Sequence, residues 1–118
     1  YRSYNFIKAD ILLENNKVSA GEDVEIPLVL HNSSDQPVYF SEAQPGKVYL
    51  TYLLLQYGKP LICERFDEIS QLVLKDEYRT FFRLKTPAKP GIYYLKVSIK
   101  SGWMPAGINS RLVKIRVE

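Results

Sequence analysis

The sequence is poor in the residues from which catalytic and metal centres are built. It holds one cysteine, Cys63, and one histidine, His31, in 118 residues, which excludes an internal disulfide and any multi-cysteine zinc site. No apolar run approaches the roughly 20 residues of a membrane-spanning helix, so membrane insertion is not expected. Lysines and arginines are dispersed rather than blocked together, and with a net charge of only +3 a nucleic-acid partner is not expected either. Phosphate-cradling glycine loops, internal repeats and low-complexity segments are all missing.

The lone histidine stands between Leu30 and Asn32 in a strand-like context without an evident acid or base beside it, and reads as a structurally hydrogen-bonded side chain. Glu64, Asp67 and Glu68 lack the regular spacing of a calcium loop and read as a solvated turn. Cys63 reads as a small buried hydrophobe. A general acid, base and nucleophile cannot be assembled from these types, so the chain is expected not to be an enzyme, with no catalytic residue, no metal ligand and no cofactor.

What is present is strand. With 46% hydrophobic and 25% charged residues the composition is that of a globular chain, and this length supports one domain, 1–118, that buries about 65% of its unfolded surface. The organising stretch is Lys89-Pro90-Gly91 followed by Tyr93, Leu95, Val97 and Ile99 on one face of a pleat, with Tyr94, Lys96, Ser98 and Lys100 on the other. Earlier strands are expected over 6–13 (Ile7, Ala9, Ile11 and Leu13 inward), briefly at Val18, and over 24–30 (Val24, Ile26, Leu28 and Leu30 inward). Pro27 offers no ladder donor and should lie where the first strand has a bulge or a break, or where the edge is free. A short edge strand is expected at Val38-Tyr39-Phe40. The run 48–56 is apolar on both faces and should be central or covered, and 61–66 should be its hairpin partner. The segment 67–76 fits either one helical turn or a short strand at Leu72-Val73-Leu74. Two more strands are expected over 78–85, with Tyr78, Thr80, Phe82 and Leu84 inward, and over 108–117, with a rigid aromatic loop at 101–107 before the last.

Seven or eight short strands separated by turn signals predict an all-β, immunoglobulin-like Greek-key β-sandwich. Tyr93 then takes the place of a tyrosine corner, its hydroxyl bonding to backbone upstream. Asn32-Ser33-Ser34-Asp35-Gln36-Pro37-Val38, the run from Thr86 to Leu95 and Gly102-Trp103 resemble a bacterial immunoglobulin-like accessory domain. Similar features occur in the carbohydrate-binding C-terminal domain of O-antigen ABC transporters and in the intracellular proteinase inhibitor family of bacilli. The shared residues encode turns, so no site residue is carried over from either family. The resemblance implies a bacterial, extracytoplasmic module in the periplasm, at the cell surface or secreted. The chain begins at Tyr1 without methionine or a signal-like leader and is expected to belong to a longer polypeptide whose neighbouring domains are its partners.

Two surfaces are candidate sites. If the loops after the second and sixth strands emerge at one end, Tyr39 and Phe40 approach Trp103 and Met104, where aromatic faces can stack on sugar rings or anchor a protein; equally, these residues can plug the end of the core. The outer face of the last two strands carries Tyr94, Lys96, Lys100, Lys114 and Arg116, a pattern that can hold an acidic glycan or a phosphate backbone, or that simply keeps sheet edges apart. The functional expectation is a noncatalytic binding or spacer module with a glycan as candidate ligand. The alternative is a protein-interaction domain, a protease inhibitor or an assembly subunit, working through an edge strand or the loop 33–47. Asn32-Ser33-Ser34 is also a glycan-acceptor sequon, relevant only in a eukaryotic secreted protein.

Overall fold

The computed structural model describes residues 4–13, 15–40, 48–65, 73–101, 104–105 and 110–118, and their regular structure is all β. The strands are β1 (Ile7–Ile11), β2 (Lys17–Val18), β3 (Asp23–Asn32), β4 (Val38–Tyr39), β5 (Val48–Gln56), β6 (Lys59–Arg65), β7 (Val73–Leu74), β8 (Glu77–Lys85), β9 (Gly91–Ser101), β10 (Met104–Pro105) and β11 (Val113–Val117). A three-stranded sheet has the order β1-β3-β8; a six-stranded sheet has β2-β11-β9-β5-β6 with β10 folded back onto β9; β4 and β7 form a separate ribbon. Among the described residues every pairing is antiparallel except that of β2 with β11.

One core lies between the two larger sheets. Tyr93, Leu95, Val97 and Ile99 of β9 are all buried, and they sit in register with Leu54, Tyr52 and Leu50 of β5 through the pairs Leu54 with Leu95, Tyr52 with Val97 and Leu50 with Ile99. The smaller sheet supplies Ile26, Leu28, Leu30, Phe82 and Leu84 to the same cluster. The Tyr52 and Phe82 rings stack across the gap with centroids 4.8 Å apart. Burying each side chain of this size contributes about 1.5–3 kcal/mol, which is why the two-residue period of β9 dictates the inside of the molecule.

Connections are fixed by a few polar groups. The Tyr93 hydroxyl donates to the Lys89 carbonyl at 2.7 Å, the tyrosine-corner bond expected from the sequence. Thr86 is buried; its Oγ1 accepts the Glu22 N–H at 2.9 Å and donates to the Ser19 carbonyl at 2.6 Å, clamping the β2–β3 turn onto the β8–β9 connection. Pro27 lies where β1 stops: its carbonyl accepts the Leu12 N–H at 2.9 Å, but it has no N–H to return, so the ladder ends at the pairing of Ile11 with Leu28. Between β5 and β6, Tyr57 and Gly58 have φ of 54° and 74°, the two positive values of a type I′ hairpin turn.

Several expectations change. The first strand covers 7–11 rather than 6–13, and the last regular strand starts at Val113. Part of the expected aromatic loop is strand, because Met104–Pro105 pairs with Lys100 and Ser101. For 67–76, where the sequence fits either a helical turn or a short strand, the described residues favour the strand, with Val73 and Leu74 paired to Tyr39 and Val38 and a bend at Lys75–Asp76; Ile69 and Leu72 lie outside the described residues. Tyr78 keeps its inward phase opposite Leu30, yet one residue from the start of an edge strand it remains 40% exposed.

Candidate functional site

The pole of aromatic residues divides. In β4 the side chains alternate, so Val38 is buried, Tyr39 is 66% exposed, and Phe40, which follows the strand, is only 2% exposed and belongs to the core. Phe40 therefore cannot offer a face to a ligand: the alternation set by the short pairing of β4 with β7 turns it inward, into the same core cluster as Val38 and Leu74. Tyr39 is the member that can stack on one. Trp103 lies outside the described residues, and the backbone of Met104 belongs to β10 on the six-stranded sheet, whereas Tyr39 belongs to the β4–β7 ribbon.

The basic face is brought together as a surface. Tyr94 pairs with Lys114, and Arg116 pairs with Ile92, so Tyr94, Lys96, Lys100, Lys114 and Arg116 occupy the outward phase of β9 and β11. Lys114 and Arg116 are exposed, Lys96 and Lys100 half-exposed, and Tyr94 is 38% exposed. The parallel pairing of β2 adds Lys17 beside Arg116. Sequence reading missed that neighbour because a two-residue parallel strand has no local signal linking it to a strand a hundred residues later. Arg116 is held by Glu118 at 3.6 Å, and Lys100 reaches over to the Cys63 sulfur at 3.7 Å. A shallow depression of about 410 Å³, lined by Pro90, Gly91, Ile92, Arg116, Val117 and Glu118, closes one end of this face.

The remaining candidates fall into structural roles. His31 Nε2 lies 3.2 Å from Asp10 Oδ2 on the outer face of the smaller sheet, a cross-strand ion pair when the imidazole is protonated. Cys63 is exposed, not buried: Ile62 takes the inward position in register with Leu54, and the pleat sends Cys63 outward opposite Leu53. Glu64 accepts the Tyr52 hydroxyl at 2.9 Å; Asp67 and Glu68 lie outside the described residues. Asn32, the sequon asparagine, is 6% exposed. Its Nδ2 donates to the Gln36 and Leu74 carbonyls at 2.9 and 3.0 Å, while its Oδ1 accepts from the N–H and Oγ of Ser34. It is a knot tying the 33–37 turn to β7, with its amide nitrogen already engaged. Among the described residues, no three of His, Cys, Asp or Glu gather as a metal site would require.

No protein-family model and no curated protein matches this sequence. Solved structures with a similar fold do exist. The CARDB domain of the PF1109 protein from Pyrococcus furiosus, solved in complex with di-metal ions, superposes with a TM-score of 0.58 at 14% identity, covering 98% of this chain and 96% of that one. The β-glucosidase of Listeria innocua in complex with glucose gives a TM-score of 0.59 at 15% identity over 94% of this chain. The alkylpurine DNA glycosylase AlkC of Pseudomonas fluorescens, bound to DNA containing an abasic site analog, gives 0.57 at 8% identity over 96% of this chain. The chain spans 30% of the glycosylase and 16% of the glucosidase. At these identities the likeness is one of fold.

Proposed function

We propose that this chain is a noncatalytic binding or spacer module, an immunoglobulin-like Greek-key β-sandwich carried in a larger bacterial surface or secreted protein, with a glycan as its ligand class. The observation that carries this reading is modular use of the fold: the same architecture fills almost the whole of a CARDB domain yet makes up a minor part of two enzymes. The sandwich assignment is supported by the single core between two antiparallel sheets and by the Tyr93 bond to Lys89. Tyr39 supports the glycan assignment, since its exposed ring is anchored on both sides by the buried Val38 and Phe40 and can stack on the apolar face of a sugar. The test is a glycan array probed with the wild-type chain and with Tyr39→Ala and Trp103→Ala. The expected result is binding that either substitution removes without lowering the melting temperature; binding unchanged in both variants would move the glycan site away from the pole.

One observation favours the protein-interaction alternative. β6 closes one edge of the six-stranded sheet and pairs with β5 alone, leaving its other edge open among the described residues, with Leu61 exposed on it. An open edge of this kind accepts an added strand. In that case Leu61→Pro would abolish capture of a partner by the longer polypeptide while the melting temperature held within a few degrees.

A further inference from the structure

The two outer faces differ in a way that composition hides. On the three-stranded sheet the outward positions of β1, β3 and β8 hold Lys8, Arg79, Arg83 and Lys85 against Asp10, Asp23, Glu25 and Glu77, four charges of each sign. Several are matched across the ladder: Asp23 lies opposite Lys85, Glu25 opposite Arg83 and His31 opposite Glu77, while Arg79 and Asp10 flank Val29 from either side. Glu25 approaches Arg83 to 3.8 Å, and Asp10 holds His31. Such cross-strand pairs neutralise each other in place. On the six-stranded sheet the outward positions of β2, β9 and β11 hold Lys17, Lys96, Lys100, Lys114 and Arg116 and no carboxylate. The outward described side chains of β5 and β6 add Tyr49, Thr51, Leu53, Leu55 and Cys63, again without an acid, because Glu64 faces Tyr52. Glu118, just past β11, is the one carboxylate that meets these cations among the described residues.

We propose that the cationic strip of β2, β11 and β9 on this face is a docking surface for a linear acidic polysaccharide. The register lays the cations along a diagonal track from Lys17 and Arg116, through Lys114 and Lys96, to Lys100. From the Ile92–Arg116 row to Lys100 is eight residues of β9, roughly 27 Å at about 3.4 Å per residue. Tyr94 stands in the track beside Lys114, with an exposed ring edge for a sugar's apolar face and a hydroxyl for its polar groups. At the Arg116 end Gln56 Nε2 donates to the Ile92 carbonyl at 3.5 Å, which sets the hairpin tip, with the 90% exposed Tyr57, next to the start of β9. Tyr57 holds a positive φ where asparagine or glycine would cost less, so an aromatic ring is kept there against a backbone penalty.

The side-chain types select among polyanions. Four of the five cations are lysines, point charges suited to scattered carboxylates, whereas phosphate recognition favours the planar fork of arginine. Leu53 and Leu55, in register with Lys96 and Tyr94, are half-buried, so the apolar surface here is interleaved with lysines rather than gathered into the charge-depleted centre of a protein interface. Tyr49 and Thr51 on the β5 side of the face are buried, so the accessible part is the strip carried by β9 and β11, bordered at the Arg116 end by the shallow depression.

This inference rests on the binding-module reading but not on the Tyr39 pole, and its test separates the two. The 118-residue chain is titrated with hyaluronan, polygalacturonate and alginate, with neutral dextran and with single-stranded oligothymidine. Two charge-reversal variants are compared: Lys96→Glu with Lys114→Glu on the cationic face, and Arg79→Glu with Lys85→Glu on the matched face. Each takes the net charge from +3 to −1. Lys96→Gln with Lys114→Gln repeats the first change without introducing repulsion, and melting temperatures confirm that all variants fold. The expected result is binding to at least one acidic polysaccharide that weakens as salt rises and falls by about ten-fold or more in the cationic-face variants, with little change in the matched-face variant. Equal losses from both faces, no binding to any of the three acidic polymers, or tighter face-dependent binding of oligothymidine would each overturn the proposal. Neutral-glycan binding lost with Tyr39→Ala would leave the module reading standing in all of those cases.

Discussion

Single polar atoms hold much of this fold's geometry, and their removal has calculable consequences. Tyr93→Phe deletes one hydroxyl and its 2.7 Å bond to Lys89 while leaving the ring in the core. It should cost about 1 kcal/mol, the net value of such a bond, read as a lower midpoint in urea; an unchanged midpoint would mean that the corner is ornamental. Asn32→Ala is harsher, because it strips two donors and an acceptor from a buried knot. A loss of at least about 2 kcal/mol is expected, with added protease sensitivity in the 33–37 turn. Tyr57→Asn should go the other way. A left-handed backbone costs an L-residue roughly 1–2 kcal/mol and asparagine less, so the variant should melt at a higher temperature than the wild type, and a lower melting temperature would show that Tyr57 is held by contacts in the isolated chain.

At the scale of elements, β9 and its approach are the least replaceable. Gly91 has φ of 156°, and a Cβ there would stand 3.2 Å from Gln56 Nε2. Gly91→Ala should therefore destabilise by about 1–3 kcal/mol, measured by thermal unfolding. The edge strand β6 makes a different prediction: an exposed Cys63 should react stoichiometrically with a maleimide in native buffer, and a thiol protected until denaturant is added would contradict its outward phase. These elements also show what could be read from the chain. The alternation of β3, β8 and β9 is strong because each has one wet face, so phase and inside followed directly from residues such as Ile26, Phe82 and Leu95. Cys63 escaped because the expectation rested on residue type, a small apolar side chain, whereas its outward position opposite Leu53 is visible only in the register of β6 on β5. Phe40 escaped for a related reason, since two residues of strand are too few to reveal which of two neighbouring aromatics faces in. Asn32 looked like part of a loop, and its role needed β7, some forty residues away, to become visible.

For the whole molecule, the tertiary structure separates what the sequence mixes. Cations and carboxylates alternate along the chain without blocks, yet strand pairing sorts them into one neutralised face and one cationic face. The alternation of β9 and β11 already sets Tyr94, Lys96, Lys100, Lys114 and Arg116 on one face, but that Lys17 joins them beside Arg116 and that Glu25 meets Arg83 is visible only through pairing. Two larger sheets with unlike outer faces would suit the proposed module, which would present one surface to a polymer and the other to solvent or a neighbouring domain. The most direct measurement is a ¹H–¹⁵N NMR titration of the chain with polygalacturonate. Shift changes confined to amides around Lys17, Tyr94, Lys96, Lys114 and Arg116, and reversed by salt, are expected. Changes centred on Glu25, Arg79 and Arg83, or spread evenly over both sheets, would contradict the division of the molecule into a docking face and a silent one.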